Sequence, residues 1–305
     1  MRRIHLVEFG PPEVLHLEEV PDPHPGPGQV LIDVAYAGVT FVETQVRAGR
    51  PPWTGSLPPT PYTPGNGVEG PVLEVGHGVP PTLVHERVVT ATGGSGGYAD
   101  RVVVDVRTVI PVPESLPPGH AVALLADGRT ALALFRAGQV RADDVVLVTA
   151  AAGGVGGLLT QLAVSAGAKT VIALAGSNRK CAQARSLGAD VTVDYRSSEW
   201  AAQLTNTIRQ HGLHVTFDGV GGLVGRAVFD SAPPLSRYCA FGMASGTYTE
   251  ASVRDIVLRG ITVVGGMQLR SPEEGVALST AALGRSHRRP AHAHHRPSLS
   301  AGTRR

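Results

Sequence analysis

The sequence predicts an α/β protein with two parts, a partly open β-barrel followed by a doubly wound parallel sheet. Before Pro117, short β-type runs alternate with turn clusters rich in proline and glycine, which is typical of a small barrel. After Gly119, strands and helices alternate, and the strands are almost wholly apolar, as in a parallel sheet covered on both faces. A chain of 305 residues is long enough for two hydrophobic cores.

The N-terminal part, predicted to span residues 1–117, consists of short strands. Turn-forming clusters at Pro21–Gly28 and Pro51–Pro64 interrupt them, and helical periodicity is scarce. The predicted strands are Ile4–Phe9, Val30–Tyr36, Gly70–Val75, Arg87–Ala91, Tyr98–Val104 and Thr108–Pro111.

The second part, predicted to span residues 118–267, opens with a largely apolar helix at His120–Ala137. Strand-type and helix-type runs then alternate as in βαβ units. The predicted strands are Val145–Thr149, Thr170–Ala175, Val191–Val193, His214–Asp218, Tyr238–Phe241 and Ile261–Gly265. The predicted helices between them are Val155–Ala166, Arg179–Leu187 and Glu199–Gln210.

The C-terminal stretch differs in composition from the rest. Residues 268–285 are expected to begin a return to the first domain, but Gly275–Arg305 contains no acidic residue, and Ser286–Arg305 holds five arginines and four histidines. Such a tail cannot bury enough apolar surface to offset its ordering entropy, so we expect disorder. Its bias also resembles a GC-rich reading frame read out of register. Resequencing the coding DNA across the junction tests this frameshift hypothesis.

Composition limits the classes of protein to consider. A net charge of +2 gives no general case for nucleic acid, and the basic tail lacks aromatic residues on which bases could stack. The sequence has no run apolar enough for a membrane span and no signal peptide, so we expect a cytoplasmic protein. Cys181 and Cys239 are expected to be free thiols, because two isolated cysteines build neither a disulfide scaffold nor a structural zinc lobe.

A glycine-rich turn follows the strand Val145–Thr149. The run Ala150–Gly157 contains four glycines and leads into a helix. Glycine permits a close approach of the backbone to a pyrophosphate, and the helix N-terminus offers free N–H groups to the anion. Because a strand precedes this turn and a second strand follows it, we interpret it as a dinucleotide-binding site and not as a structural turn.

The end of the second strand indicates which dinucleotide binds. Enzymes that use NAD place an acid there for the ribose 2′-hydroxyl, but the run Ala173–Lys180 contains none. Ser177, Arg179 and Lys180 suit a 2′-phosphate instead. The alternative, two solvated cations that begin a helix, is less favourable because cations there oppose the helix dipole. The sequence therefore predicts NADPH as the cofactor.

These features together resemble the zinc-free quinone oxidoreductases, the zeta-crystallin group of the medium-chain dehydrogenase/reductase superfamily. The resemblance runs from Glu8 to about Leu278 and implies a GroES-like partly open β-barrel domain plus a doubly wound Rossmann domain. The segments that carry it are Glu8–Leu15, Ala37–Glu43, Thr63–Gly65, Gly96–Ala99, Ala150–Gly156, Leu187–Asp190, Val193–Tyr195 and Phe217–Gly222.

The resemblance also implies roles for individual residues. Pyrophosphate contacts are expected from Ala152, Gly153, Gly154 and Val155. The adenosine phosphate is expected to contact Ser177, Arg179, Lys180 and Tyr195. The nicotinamide half is expected to contact Thr130, Val220, Phe241, Gly242, Met243 and Gly265, with Met267 on the substrate side. Relatives are often dimers that extend the sheet through the strand corresponding to Ile261–Gly265, so we expect a homodimer.

The sequence departs from the family at positions that line the substrate cleft in relatives. The usual asparagine is Thr40 here, and a frequent tyrosine is Gln45. Thr40 is either a hydrogen-bond donor to the acceptor oxygen or a turn residue satisfied by backbone. Tyr62 and Trp53 either cover a flat substrate or simply pack. Zinc-dependent relatives place a catalytic cysteine just after the Ala37–Gly38 segment, and this chain has none.

The function implied is hydride transfer from NADPH to a quinone or an α,β-unsaturated carbonyl, without zinc. No side chain is an obvious general acid, and electron-poor acceptors can take hydride with solvent protonating the product. An enoyl reductase of the same superfamily and a catalytically impaired NADPH-binding protein remain alternatives, the latter because the C-terminus is altered.

Overall fold

A computed structural model describes residues 1–52, 56–265 and 272–288. The chain divides into two compact units. The first comprises Met1–Ala126 with part of the C-terminal segment that begins at Gly275, and the second comprises Asp127–Glu274. The division falls within a long helix, α2 (His120–Ala137). We call the two the barrel unit and the Rossmann unit. In the described ranges, no helix combines the length and apolar character needed to span a membrane.

The barrel unit is built from short antiparallel strands, as predicted. Its main sheet has the order β7-β3-β5-β6-β8, with β4 paired to β5, and β1 and β2 form a separate pair. The bounds are β1 (Arg2–Leu6), β2 (Leu15–Glu19), β3 (Gln29–Asp33), β4 (Tyr36–Ala37), β5 (Gly67–Val75), β6 (Arg87–Ala91), β7 (Arg101–Asp105) and β8 (Ile110–Pro111). Alternate valines and isoleucine of these strands are buried together, which forms the core of the unit.

Two predictions for the barrel unit are wrong in detail. The run Val30–Tyr36 is two strands, because the chain changes partner between Val34, whose N–H bonds to Asp100, and Ala35, whose N–H bonds to Glu69. A short helix, α1 (Phe41–Arg47), was not predicted and contains no fully buried residue.

The Rossmann unit contains one six-stranded, wholly parallel sheet with the order β11-β10-β9-β12-β13-β14. The strands are β9 (Val145–Val148), β10 (Thr170–Ala175), β11 (Val191–Asp194), β12 (Val215–Asp218), β13 (Arg237–Ala240) and β14 (Thr262–Gly265). The helices are α3 (Gly154–Ser165), α4 (Asn178–Ser186), α5 (Trp200–His211), α6 (Gly222–Ser231), α7 (Val253–Arg259) and α8 (Pro272–Arg288), of which α8 belongs mostly to the barrel unit. The predicted fold class is confirmed.

The parallel strands are apolar throughout because helices cover both faces of the sheet. Val146 and Val148 belong to one buried cluster, and Val145 and Leu147 belong to the other. The strand order reverses between β9 and β12, and ligands of such folds bind at that reversal, beyond the carboxyl ends of the strands. The fold therefore directs attention to the residues that follow β9 and β12.

The C-terminal helix α8 contacts the barrel unit. Ser279 is buried and donates a hydrogen bond to the carbonyl of Leu125 at 3.1 Å, and Leu278, Ala282 and Leu283 are buried. The helix runs three residues into the segment 286–305, for which we predicted disorder, and residues 289–305 lie outside the described part of the chain.

Candidate functional site

The turn after β9 has a shape that requires glycine. Ala150 has a positive φ of 50°, and Gly153 caps α3 with an extended conformation. A Cβ added at Gly156 would overlap the carbonyl oxygen of Ala150 and lie 3.1 Å from the Cα of Ala151. The first turn of α3 is therefore packed directly against the loop that precedes it, as in dinucleotide-binding turns.

The N-terminus of α3 offers donors to an anion. Gly153 has no side chain with which to cap the helix, and the amide of Gly157 makes the first helical bond, to Gly153 at 2.8 Å. The amides of Gly154, Val155 and Gly156 precede that bond and carry the positive end of the helix dipole. Residues at this turn therefore fit a pyrophosphate. Ala152, Gly153, Gly154 and Val155, which the sequence singles out, all lie at this turn.

A second group lies at the end of β10. The Ser177 hydroxyl caps α4 by accepting from the amide of Lys180 at 3.2 Å, and Arg179 and Lys180 are exposed. The Tyr195 ring lies against Gly176, because a Cβ there would come 2.9 Å from the Tyr195 hydroxyl oxygen. Burial raises the pKa of Tyr195, so the phenol remains a neutral donor. The structure thus brings Ser177, Lys180 and Tyr195 to one strand end.

One acid also lies near this strand end. The run Ala173–Lys180 has no carboxylate of its own, but Asp194 ends the neighbouring strand and pairs in register with Ala175. Its side chain accepts a hydrogen bond from the amide of Arg196 at 3.0 Å. The sequence-based statement that no acid is in reach holds for the run itself and not for its surroundings.

A buried polar network joins β9 and β12 at the reversal of strand order. Thr149 donates to Asp218 at 2.8 Å and accepts from the amides of Gly219 at 2.9 Å and Val220 at 3.2 Å. The other carboxylate oxygen of Asp218 accepts from the hydroxyls of Tyr238 at 2.9 Å and Thr249 at 2.6 Å. Because Asp218 is fully buried, these donors are what make its burial tolerable.

The network holds two turns together. Ser245 donates its amide to the carbonyl of Val220, and a Cβ on Gly219 would come 2.5 Å from the Phe241 ring. Val220, Phe241, Gly242 and Met243 therefore lie side by side, and Gly265 pairs in register with Ala240 just before them. Thr130 is buried in α2. Met267 and Trp53 lie outside the described residues.

In the barrel unit, Thr40 and Tyr62 lie near one carboxylate. Thr40 caps α1: its hydroxyl accepts from the amide of Glu43, and its own amide donates to Glu43 at 2.6 Å. Glu43 also accepts from the amide of Asn66 at 2.7 Å. Burial and the Glu43 charge raise the pKa of both Tyr62 and Tyr98. The Thr40 hydroxyl keeps its own proton available for donation.

The two cysteines are free and buried, as predicted. Burial raises the pKa of Cys239 to about 12, so this thiol is a poor metal ligand and a poor nucleophile at neutral pH. Among the residues the structure describes, no group of three or more His, Cys, Asp or Glu side chains could hold a metal ion.

Three contributors to these sites were not identified from the sequence. Thr149 and Asp218 are far apart along the chain, and only the strand order suggests that they meet. Glu43 had a local signal, since Thr40-x-x-Glu43 before an apolar run is a capping box.

An antiparallel barrel followed by a six-stranded parallel sheet with a glycine-lined anion cradle defines a two-domain protein of the dinucleotide-dependent oxidoreductase class. Two family models match the chain: "Alcohol dehydrogenase GroES-like domain" over residues 26–114 and "Zinc-binding dehydrogenase" over residues 154–281. Quinone oxidoreductase of Rattus norvegicus is 36% identical over 220 residues, which cover 72% of this chain and 66% of the relative. A 2-haloacrylate reductase of a Burkholderia species is 33% identical over 256 residues, 82% of this chain and 76% of the relative.

Solved structures agree with these relatives. A mycobacterial protein complexed with NADPH superimposes with a TM-score of 0.82 at 30% identity, covering 95% of this chain and 90% of the other. Escherichia coli quinone oxidoreductase, also complexed with NADPH, gives a TM-score of 0.84 at 24% identity, covering 94% and 88%. The chain belongs to the medium-chain dehydrogenase/reductase superfamily as a quinone-oxidoreductase-like member.

Proposed function

We propose that the chain binds NADPH in the Rossmann unit and transfers its hydride to a quinone or an α,β-unsaturated carbonyl, without zinc. The observation that carries the proposal is the group at the end of β10, where Ser177, Arg179 and Lys180 begin α4. Two cations in the first turn of a helix oppose its dipole unless an anion lies beside them. A ribose 2′-phosphate supplies that anion, and the mycobacterial relative was solved with NADPH.

The remaining contacts follow the order of the turns. The pyrophosphate contacts the backbone of Ala152–Val155, and Tyr195 packs beside the adenosine phosphate. Thr130, Val220 and the turn Phe241–Met243 flank the nicotinamide half, with Gly265 next to them. The buried pair Thr149 and Asp218 contacts no ligand in this scheme and fixes the two turns relative to each other.

The cofactor supplies the hydride, and the chain binds and orients the reactants. Thr40 is the residue of the barrel unit best suited to bind the acceptor oxygen, because its hydroxyl accepts from Glu43 and still has a proton to donate. Tyr62, with its raised pKa, stays a neutral donor beside it. Solvent protonates the reduced product.

A fluorescence titration with NADPH and NADH tests the cofactor proposal. We expect NADPH to bind at least tenfold more tightly than NADH, and Lys180→Ala to remove most of that preference by weakening NADPH alone. Arg185→Ala is the matched control, since Arg185 lies in the last turn of the same helix. Equal affinities for the two cofactors would refute the phosphate site.

Turnover assays test the acceptor. We expect NADPH oxidation with quinones or enones and no loss of activity with a zinc chelator, because the only two cysteines are buried. The relative named 2-haloacrylate reductase favours including α,β-unsaturated acids, which also covers the enoyl reductase alternative. Binding of NADPH without turnover of any acceptor would mean that the chain is a cofactor-binding protein only.

We also propose a homodimer formed through the edge strand β14. In the described part of the chain, no strand pairs with the outer side of β14. Nearby α7 exposes Val253, Val257 and Leu258, each 70–75% exposed. Light scattering should show a dimer that Val257→Asp dissociates. Leu17→Asp, which changes an exposed leucine of the barrel unit, should leave the dimer intact; a monomeric parent protein would refute the assignment.

A further inference from the structure

The carboxylate of Asp127 lies at the entrance to the anion cradle. Asp127 belongs to the Rossmann unit and follows the first two turns of α2. A Cβ added at Gly154 would overlap the nearer carboxylate oxygen of Asp127 and lie 2.8 Å from its carboxyl carbon. The two residues approach this closely only because position 154 is a glycine.

Gly154 is the first residue of α3, so the carboxylate lies at the positive end of that helix. The helix dipole and the first-turn amides stabilise a negative charge there. They are also the groups that would bind a pyrophosphate. The acid and the ligand would therefore use the same electrostatic feature of the protein.

The local charge makes this competition matter. The chain has no charged side chain between Asp144 and Lys169, so β9, the turn and α3 supply no cation to offset an acid. Arg129 is only two residues from Asp127, and residues two apart do not share a helix face. A carboxylate and a pyrophosphate in contact repel strongly, since charges a few ångströms apart near a protein surface interact by several kcal/mol.

We propose that Asp127 sets the affinity of the cradle for the dinucleotide: its carboxylate competes with the pyrophosphate for the N-terminus of α3 and weakens binding. The inference rests on the proposed NADPH function and adds an affinity-setting residue to it. Weaker binding speeds dissociation of the cofactor, which a reductase must release after each hydride transfer.

The test removes the charge and keeps the shape. In the full chain, Asp127→Asn should lower the Kd for NADPH by tenfold or more, as followed by fluorescence titration. Binding of adenosine 2′-monophosphate, which lacks the pyrophosphate, should change by less than twofold. The matched control is Asp143→Asn: its amide bonds to Gly167, past the other end of α3, and asparagine tolerates its positive φ of 71°.

Each outcome separates this inference from the proposed function. If the parent protein binds NADPH and Asp127→Asn binds it equally or less tightly, the inference is wrong and the function stands. If neither protein binds NADPH, both are wrong. Equal tightening of adenosine 2′-monophosphate, or by Asp143→Asn, also overturns the inference. Thermal midpoints without ligand show whether Asp127→Asn folds, and Asp127→Ser repeats the measurement if it does not.

Discussion

Replacing Thr149 with valine tests the network that joins the two central turns. Thr149 is fully buried at the end of β9. Valine has nearly the same shape but no hydroxyl, so the change removes the bond to Asp218 and the acceptor for the amides of Gly219 and Val220. The variant thus isolates the hydrogen bonds with little change in volume.

The magnitude follows from these three contacts. A hydrogen bond to a charged group contributes about 1.5–3 kcal/mol, and an amide left without a partner costs about 1–3 kcal/mol. The amide of Val220 also reaches Asp218 at 3.0 Å, so only that of Gly219 loses its acceptor. Burying an extra methyl group returns about 1 kcal/mol. The net expectation is a loss of about 3 kcal/mol, roughly 10 °C in Tm for a unit of this size.

Thr216→Val is the matched control. Thr216 is also buried, in the adjacent strand β12, but its hydroxyl has no hydrogen-bond partner in the described part of the chain. Its removal should leave the free energy of unfolding unchanged or raise it slightly. Calorimetry of the full chain compares the two variants. A loss below about 1 kcal/mol for Thr149→Val, or equal losses for both, would refute the reasoning.

Three further predictions follow from the same structure. Gly156→Ala should lower stability by about 1–3 kcal/mol and weaken NADPH binding, because its Cβ overlaps the preceding loop; Gly284→Ala, with open space around it, should not destabilise the protein in thermal unfolding. Burial and the neighbouring buried carboxylate raise the pKa of Tyr238, so the unfolded chain loses that proton first, and stability should fall as pH rises above about 10. Urea unfolding at pH 8 to 11 should show a weaker fall for Tyr238→Phe. Hydrogen bonds from Arg107 lower the pKa of Asp105 to about 2, and NMR titration should show a return towards the ordinary value in Arg107→Ala.

Local patterns were sufficient for most of the Rossmann unit. Apolar runs of strand length, separated by helices, predicted each of its strands to within a residue or two at either end, since a strand covered on both faces has no polar position to conceal it. The helices α6 and α7 were missed. Each is short, and α7 has no buried residue, so neither carries a recognisable apolar stripe.

The sequence by itself determined the two-part fold, the glycine turn after β9 and the cations that begin α4. These depend on residues that are neighbours in the chain, where backbone conformation and helix dipoles act. Only the tertiary structure decided that Thr149 meets Asp218, that Asp194 lies beside Ala175, and that Asp127 lies against Gly154. Such contacts join distant segments, so they depend on strand order, register and the approach of packed helices, which no local pattern encodes.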